Sequence, residues 1–285
     1  MQVEAHHRLD PITHSFQDLS LGGSKGPGIS VDIDSLGISP LEPLGAIGIH
    51  HGKKVISRSK ESIIKEIRGQ IRHPEWKGYI SDIGGATAEM YGNHCEVADC
   101  PKPSCLYPER CRMFSPGKEY LALLRECRKI SGVKKIFLGS GVRYDVLLNN
   151  PELLEEILVH HSGRFLRIAP EHTEESVLNL MRKPSFESLE SFVKLFHAIN
   201  KRLKRRIELA PYLIVGHPGE KWGDVAEMKK RLRSLGLTTT SVQIFTPGPG
   251  SLSTAMYYAG CDLSLKSIPI EKNIGELMKR KELLT

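Results

Sequence analysis

The sequence predicts an α/β fold in which a parallel sheet curls toward a barrel or partial barrel, with helices packed on its outside. Two observations predict it. Five short apolar runs that read as strands alternate with stretches that read as helices, and that rhythm calls for parallel strands joined by right-handed crossovers. Each of the five runs also ends in Gly or Pro accompanied by charged or hydroxyl groups. The carboxyl ends of parallel strands are where folds of this class gather their chemistry.

The elements follow in order. Residues 1–45 carry little pattern: 19–28 read as loop, 29–33 as a short strand, and Pro40 and Pro43 interrupt what comes next. Over 59–73, Ile63, Ile64, Ile67 and Ile71 have the spacing of an amphipathic helix. A strand over 78–83 runs into Gly84-Gly85, and a cysteine-bearing loop follows. Helices are expected over 118–130 and over 151–161, the latter with Pro151 in its first turn, around a strand at 133–138. A strand at 165–169 precedes helices at 173–182 and 186–203. A strand at 207–215, a helix at 222–235, a strand at 242–246 and a helix at 271–283 complete the series. The expected division is an irregular segment, 1–45, and a barrel-like body, 46–285.

Bulk properties narrow the function classes. With 285 residues, 40% hydrophobic and 26% charged, the chain has the composition of a soluble globular protein able to bury a large core. No run of 18 apolar residues exists to span a membrane, and no basic-then-apolar leader opens the chain, so a cytoplasmic location is expected. The net charge of +7 is compatible with an anionic or nucleic-acid partner. The sharpest basic run, 201–206, reads first as the cationic end of a helix, where the macrodipole favours positive charge, and otherwise as a phosphate-binding patch.

Four of the six cysteines, Cys95, Cys100, Cys105 and Cys111, fall in one loop. Clustered thiols in a reducing compartment bind metal more often than they form disulfides. Four thiolates suit zinc or an iron–sulfur cluster, and the spacing leaves the metal open, with His94 as an alternate ligand. Cys127 sits in a helical pattern and reads as a small buried apolar side chain.

The five strand ends read as one shared site. Their sequences are 82–88 (DIGGATA), 139–145 (GSGVRYD), 169–173 (APEHT), 215–220 (VGHPGE) and 245–251 (FTPGPGS). Glycine lets a backbone approach a ligand closely, and the accompanying polar groups fix its orientation.

Several stretches carry a family resemblance. They are 46–58 (AIGIHHGKKVISR), 78–91 (GYISDIGGATAEMY), 104–108 (SCLYP), 133–145 (VKKIFLGSGVRYD), 168–173 (IAPEHT), 211–219 (PYLIVGHPG) and 254–260 (TAMYYAG). From about Ala46 to Gly260 the chain resembles the YgiQ-type family of radical S-adenosylmethionine (SAM) proteins. The resemblance implies a partial TIM-type (β/α) barrel, a [4Fe–4S] cluster and SAM at its open end, and an electron donor such as flavodoxin or ferredoxin. The cofactors would carry the radical chemistry while the protein aims it at a substrate the resemblance does not name. Gly84, Gly85 and Thr87 look like the loop that meets the amino acid moiety of SAM. Gly216, His217 and Pro218 resemble the adenine-contacting segment. Ser140 and Arg143 are candidate polar contacts, and Glu171, His172 and Arg143 are the candidate catalytic residues. The 245–251 loop resembles one in radical SAM methylthiotransferases, which points to nucleic-acid modification as a narrower reading, although no RNA-binding module is visible after residue 260.

One departure matters more than any match. The family's cluster is held by three cysteines spaced C-x3-C-x2-C after the first strand, and the alignment starting at Ala46 places them at Ile38, Glu42 and Gly45. None is a thiol, and one carboxylate cannot replace three thiolates. The first barrel strand is accordingly expected to be lost or replaced. Residues 1–45 then reflect either a disrupted reading frame or an artificial gene start, or else a pseudoenzyme that keeps the scaffold. The competing functions are a radical SAM enzyme degenerate at its cluster motif, a non-catalytic metal-binding scaffold, and an unstable fragment with an exposed sheet edge.

Overall fold

The computed structural model describes residues 56–84, 88–93, 105–107, 110–238 and 241–285, together with the backbone of 29–32 and 34–35. Three short strands come first: Ile29–Asp32 (β1), Asp34–Ser35 (β2) and Ile56–Ser57 (β3). Ser59 then opens helix α1 (Lys60–Ile71), its hydroxyl accepting the Ser62 amide at 3.2 Å and satisfying one donor the helix start leaves over. Ile63 and Ile67, one turn apart, are fully buried beneath it. Strand β4 (Tyr79–Gly84) follows, then a 3-10 turn at Ala88–Met90 and helix α2 (Lys118–Cys127), which buries Tyr120, Leu123, Leu124 and Cys127. The Tyr120 hydroxyl donates to the Ile83 carbonyl at 2.7 Å, so the one polar atom of a buried ring is paired.

The remaining elements are β5 (Lys135–Ile136), α3 (Tyr144–Leu147), α4 (Pro151–Glu156), β6 (Phe165–Glu171), α5 (Glu175–Met181) and α6 (Phe186–Arg202). They continue with β7 (Glu208–Val215), α7 (Trp222–Ser234), β8 (Ser241–Ile244), α8 (Leu252–Ala259) and α9 (Ile274–Leu284).

The sheet is parallel, as the alternation predicts. Strands pair in the orders β1-β4-β5 and β6-β7-β8, every neighbour parallel, while β2 and β3 form a separate antiparallel pair. A parallel bridge between Val142 and Ile168, with the Val142 amide donating to the Arg167 carbonyl at 2.9 Å, joins the two three-stranded groups. Six strands thus form one arc. Among the described residues β8 does not pair with β1, so no closed barrel forms. β1 runs beside β4 with Val31 opposite Ile83.

The core lies between this arc and the helices. Ile80, Ile83, Ile136, Leu166, Ile168, Leu213 and Val215 face Leu124, Leu154, Phe192, Phe196 and Met228 in one continuous cluster. Each such side chain contributes about 1.5–3 kcal/mol of burial energy, which makes this layer the main source of stability.

Several expectations need correction. The helix expected over 151–161 becomes α4 followed by a π turn, Ile157–His161. The wider turn brings His161 inward, where its Nδ1 lies 3.2 Å from the Ile136 carbonyl and its own carbonyl accepts the Leu138 amide. The strand expected over 133–138 pairs regularly only at Lys135–Ile136. The last helix begins at Ile274 rather than 271 because Asn273 caps it, accepting the Gly275 amide at 2.8 Å. Two helices, α3 and α8, were not expected. α3 is a single turn, too short to show a period. α8 buries only Ser253 and Met256 and leaves Tyr258 exposed, so it lacks an apolar stripe; its signals are the Ser251 cap and Gly260 at φ +69°.

Candidate functional site at the strand ends

The exits of β4 and β5 are tied together by one carboxylate. Asp82 accepts the Gly139 amide at 2.9 Å and also the Ser140 hydroxyl. Gly84 is what allows this approach: a Cβ there would stand 2.8 Å from Asp82 Oδ2 and 2.9 Å from Ser140 Oγ. From β6, Arg167 donates Nη1 to the Gly139 carbonyl at 2.6 Å, so three consecutive strands converge on this loop. Ser140 remains exposed at its rim.

Beside it, Glu89 is buried on the 3-10 turn and accepts the Arg143 amide at 2.9 Å. Burial raises its pKa above the usual carboxylate value, more than the hydrogen bonds it accepts lower it. The Arg143 guanidinium forks onto Asp145 at 3.1 and 2.9 Å.

The exits of β6 and β7 form a second, more deeply buried network. Glu171 adopts a left-handed conformation, φ +65°, with its carboxylate 3.6 Å from Lys183 Nζ. The next residue, His172, is buried, and its Nδ1 accepts the Glu174 amide at 3.0 Å. That bond places the ring proton on Nε2, which faces Glu220 Oε2 at 3.3 Å without reaching hydrogen-bond geometry. The other oxygen of Glu220 accepts two bonds, from the Gly216 amide at 2.9 Å and from Arg280 Nη1 at 2.7 Å. His217 is fully engaged: Nδ1 donates to the Pro218 carbonyl at 2.8 Å, so Nε2 accepts the Ser253 hydroxyl at 2.7 Å. Burial lowers its pKa to about 4, and the ring is neutral.

Of the sequence candidates, Gly84 and Ser140 meet through Asp82, and His172, Gly216, His217 and Pro218 meet through Glu220 and its loop. Arg143 and Glu171 sit at the neighbouring exits, each beside an oppositely charged side chain. Gly85, Thr87, Cys95, Cys100, the alternate ligand His94 and the positions Ile38, Glu42 and Gly45 lie outside the described residues. Cys105 and Cys111 are both half-buried, and the Cys111 amide donates to the Cys105 carbonyl at 2.7 Å. Among the described residues no three potential ligands gather around one point. Cys127 is fully buried, and burial pushes its thiol up to about 12.

Sequence reasoning missed Asp82, Glu89, Arg167, Glu220 and Arg280. Asp82 and Glu220 stood inside the strand-end stretches as their acidic members, a usable signal. Arg280 offered none, since its partner lies 60 residues away. The basic run 201–206 closes α6 just before β7 begins, at the opposite end of the sheet from these loops. Within it, Arg202 pairs with Glu155 at 3.0 Å and Arg205 donates to the Val159 carbonyl at 3.1 Å.

Comparison with known proteins adds a lineage. No family model matches the chain. A UPF0313 protein of Clostridium botulinum (strain Okra / Type B1) is 39% identical over 247 residues, covering 84% of this chain and 38% of the relative. The chain is a homologue of UPF0313 proteins. A UPF0313 protein of Fusobacterium nucleatum is 38% identical over 251 residues, covering 84% of the chain and 44% of that relative. The chain therefore spans about two fifths of the length of the UPF0313 relatives it matches. Among solved structures, the radical S-adenosylmethionine methyltransferase TsrM from Kitasatospora setae, with cobalamin and a [4Fe-4S] cluster bound, superimposes with a TM-score of 0.51. The match has 13% identity and covers 77% of this chain and 37% of that one. This UPF0313 homologue shares the α/β architecture of a radical SAM enzyme. Among its described residues no helix is long and apolar enough to cross a membrane.

Proposed function

We propose that this chain is a radical SAM-type barrel whose cluster site is degenerate: it binds an adenosyl ligand at the strand ends but does not split SAM. One observation carries the reading. The three positions that the resemblance assigns to cluster thiols hold Ile38, Glu42 and Gly45. A [4Fe–4S] cluster does not fit that donor set, and the radical step has no starting point on it. The adenosyl reading is supported by the fold shared with TsrM and by the polar groups gathered at the strand ends. Gly84, Gly85 and Thr87, with Ser140 at the rim, would hold the amino acid moiety. The backbone of Gly216, His217 and Pro218 would face the adenine, because the His217 ring is already committed to Pro218 and Ser253. Arg143 and Glu171 would orient whatever lies across the mouth, while the buried His172 would steady the Glu220 loop.

The test is anaerobic reconstitution with iron and sulfide, then reductant and SAM, with 5′-deoxyadenosine measured. The chain as it stands is expected to release none. The triple variant Ile38→Cys, Glu42→Cys, Gly45→Cys is expected to take up iron and release the nucleoside. Turnover by the unaltered chain would overturn the proposal.

A second reading concerns the cysteine loop. Four thiols lie in it, and a backbone bond from the Cys111 amide to the Cys105 carbonyl brings the main chain of two of these residues together. We propose that Cys95, Cys100, Cys105 and Cys111 bind zinc or an auxiliary iron–sulfur cluster, a role that persists in a scaffold without catalysis.

A further inference from the structure

Helix α9 follows the last strand by some thirty residues, yet it reaches back to the exit of β7. Three independent contacts hold it there. Leu277 occupies the space above Gly216, where a Cβ would lie 2.2 Å from its Cδ2. The Gly219 amide donates to the carbonyl of Pro269, on the segment leading into α9. Arg280, buried on α9, donates Nη1 to Glu220 Oε1 at 2.7 Å, while its Nη2 lies 3.3 Å from Glu271 and its guanidinium covers the Trp222 ring at 5.5 Å.

Glu220 is the point where these contacts become consequential. Its side chain is inaccessible to solvent, so the carboxylate charge is supported only by the groups around it. Those groups are the Gly216 amide, Arg280 and the Nε2 edge of His172. The Gly216 amide is thus held by the same oxygen that Arg280 holds, so its position depends on Arg280. Gly216 itself has φ +78°, a conformation that lacks the confining effect of a side chain and needs an external anchor to stay in one place.

We propose that Arg280 is a positioning residue of the strand-end site: through Glu220 it sets the backbone of the Gly216–Pro218 turn and so the ligand-facing edge of β7. This rests on the adenosyl-ligand reading for the identity of the ligand, but not for the coupling between Arg280 and the turn. The body of the site therefore includes α9, a helix outside the strand-end loops.

Two measurements on the full chain test it: amide hydrogen exchange, and calorimetric titration with S-adenosylhomocysteine. In Arg280→Gln the Gly216 and His217 amides are expected to exchange about tenfold faster, with the β6 interior unchanged, and the nucleoside to bind about tenfold more weakly. Arg280→Lys, which keeps the charge but not the fork, is expected to restore part of both. Unchanged exchange at Gly216 in Arg280→Gln, or a uniform rise across the whole barrel, would overturn the proposal. If the unaltered chain fails to bind the nucleoside, the ligand reading falls, and the exchange pattern alone decides the role of Arg280.

Discussion

Gly216 and Leu277 interlock: the absent side chain of one is the space filled by Cδ2 of the other, at 2.2 Å from where a Cβ would stand. Leu277 is 6% exposed and cannot swing into solvent, and Gly216 has a positive φ. Gly216→Ala is therefore expected to destabilise the chain by roughly 2–4 kcal/mol, combining overlap with backbone strain. Adding Leu277→Ala should remove the overlap but leave the strain, so the double variant should lose less than the sum of the two single changes. Urea unfolding of the three variants checks this.

The Asp82 clip predicts a second outcome. Asp82→Ala leaves the Gly139 amide and the Ser140 hydroxyl without their acceptor, at a cost of about 1–3 kcal/mol. Ser140→Ala removes only one of the two bonds and should cost less. A thermal-unfolding cycle over Asp82 and Ser140 should show coupling, and simple additivity would mean that the clip does not exist in solution.

Stability should fall as the solution is made acidic, and two histidines set the window. Burial lowers both His161 and His217 from 6.5 to about 4. The unfolded chain thus binds protons that the folded chain refuses between those values, and stability is lost as pH falls from about 6.5 toward 4. Each contributes up to roughly 3 kcal/mol over that range. Glu156 adds loss at lower pH, since burial alone would raise it but Arg125 and Arg128 hold it below its usual value. Glu89, raised by burial, works in the opposite sense. Denaturant titrations from pH 8 to pH 4 should show this slope, reduced in His217→Asn.

Metal content tests the thiol loop. Chains purified without oxygen are expected to carry iron or zinc, and the pair Cys105→Ser, Cys111→Ser is expected to lose it. Elemental analysis that finds neither metal in the unaltered chain would end the metal-binding proposal for Cys95, Cys100, Cys105 and Cys111.

The parallel alternation was legible because strands and helices announce themselves locally, through the spacing of Ile63 and Ile67 or the glycines after Ile83. The position of the strand-end loops followed from that alternation. What escaped notice had no local period. α3 is one turn, α8 has no apolar stripe, and the π turn ending at His161 reflects where the β5 exit needs a partner. His217 shows the limit for sites: its place in a Gly-His-Pro-Gly loop was plain, but the commitment of both ring nitrogens to Pro218 and Ser253 was not.

By itself, then, the amino-acid order determined the parallel βα arrangement, the gathering of polar groups at one end of it, and the want of thiols at 38, 42 and 45. Periodicity and ligand chemistry are properties of neighbouring residues. Tertiary structure alone decided that Arg280 would neutralise Glu220, that Leu277 would sit over Gly216, and that Asp82 would join two loops. Those partners are far apart along the chain, and only packing of the whole core brings them within reach of a hydrogen bond or a van der Waals contact.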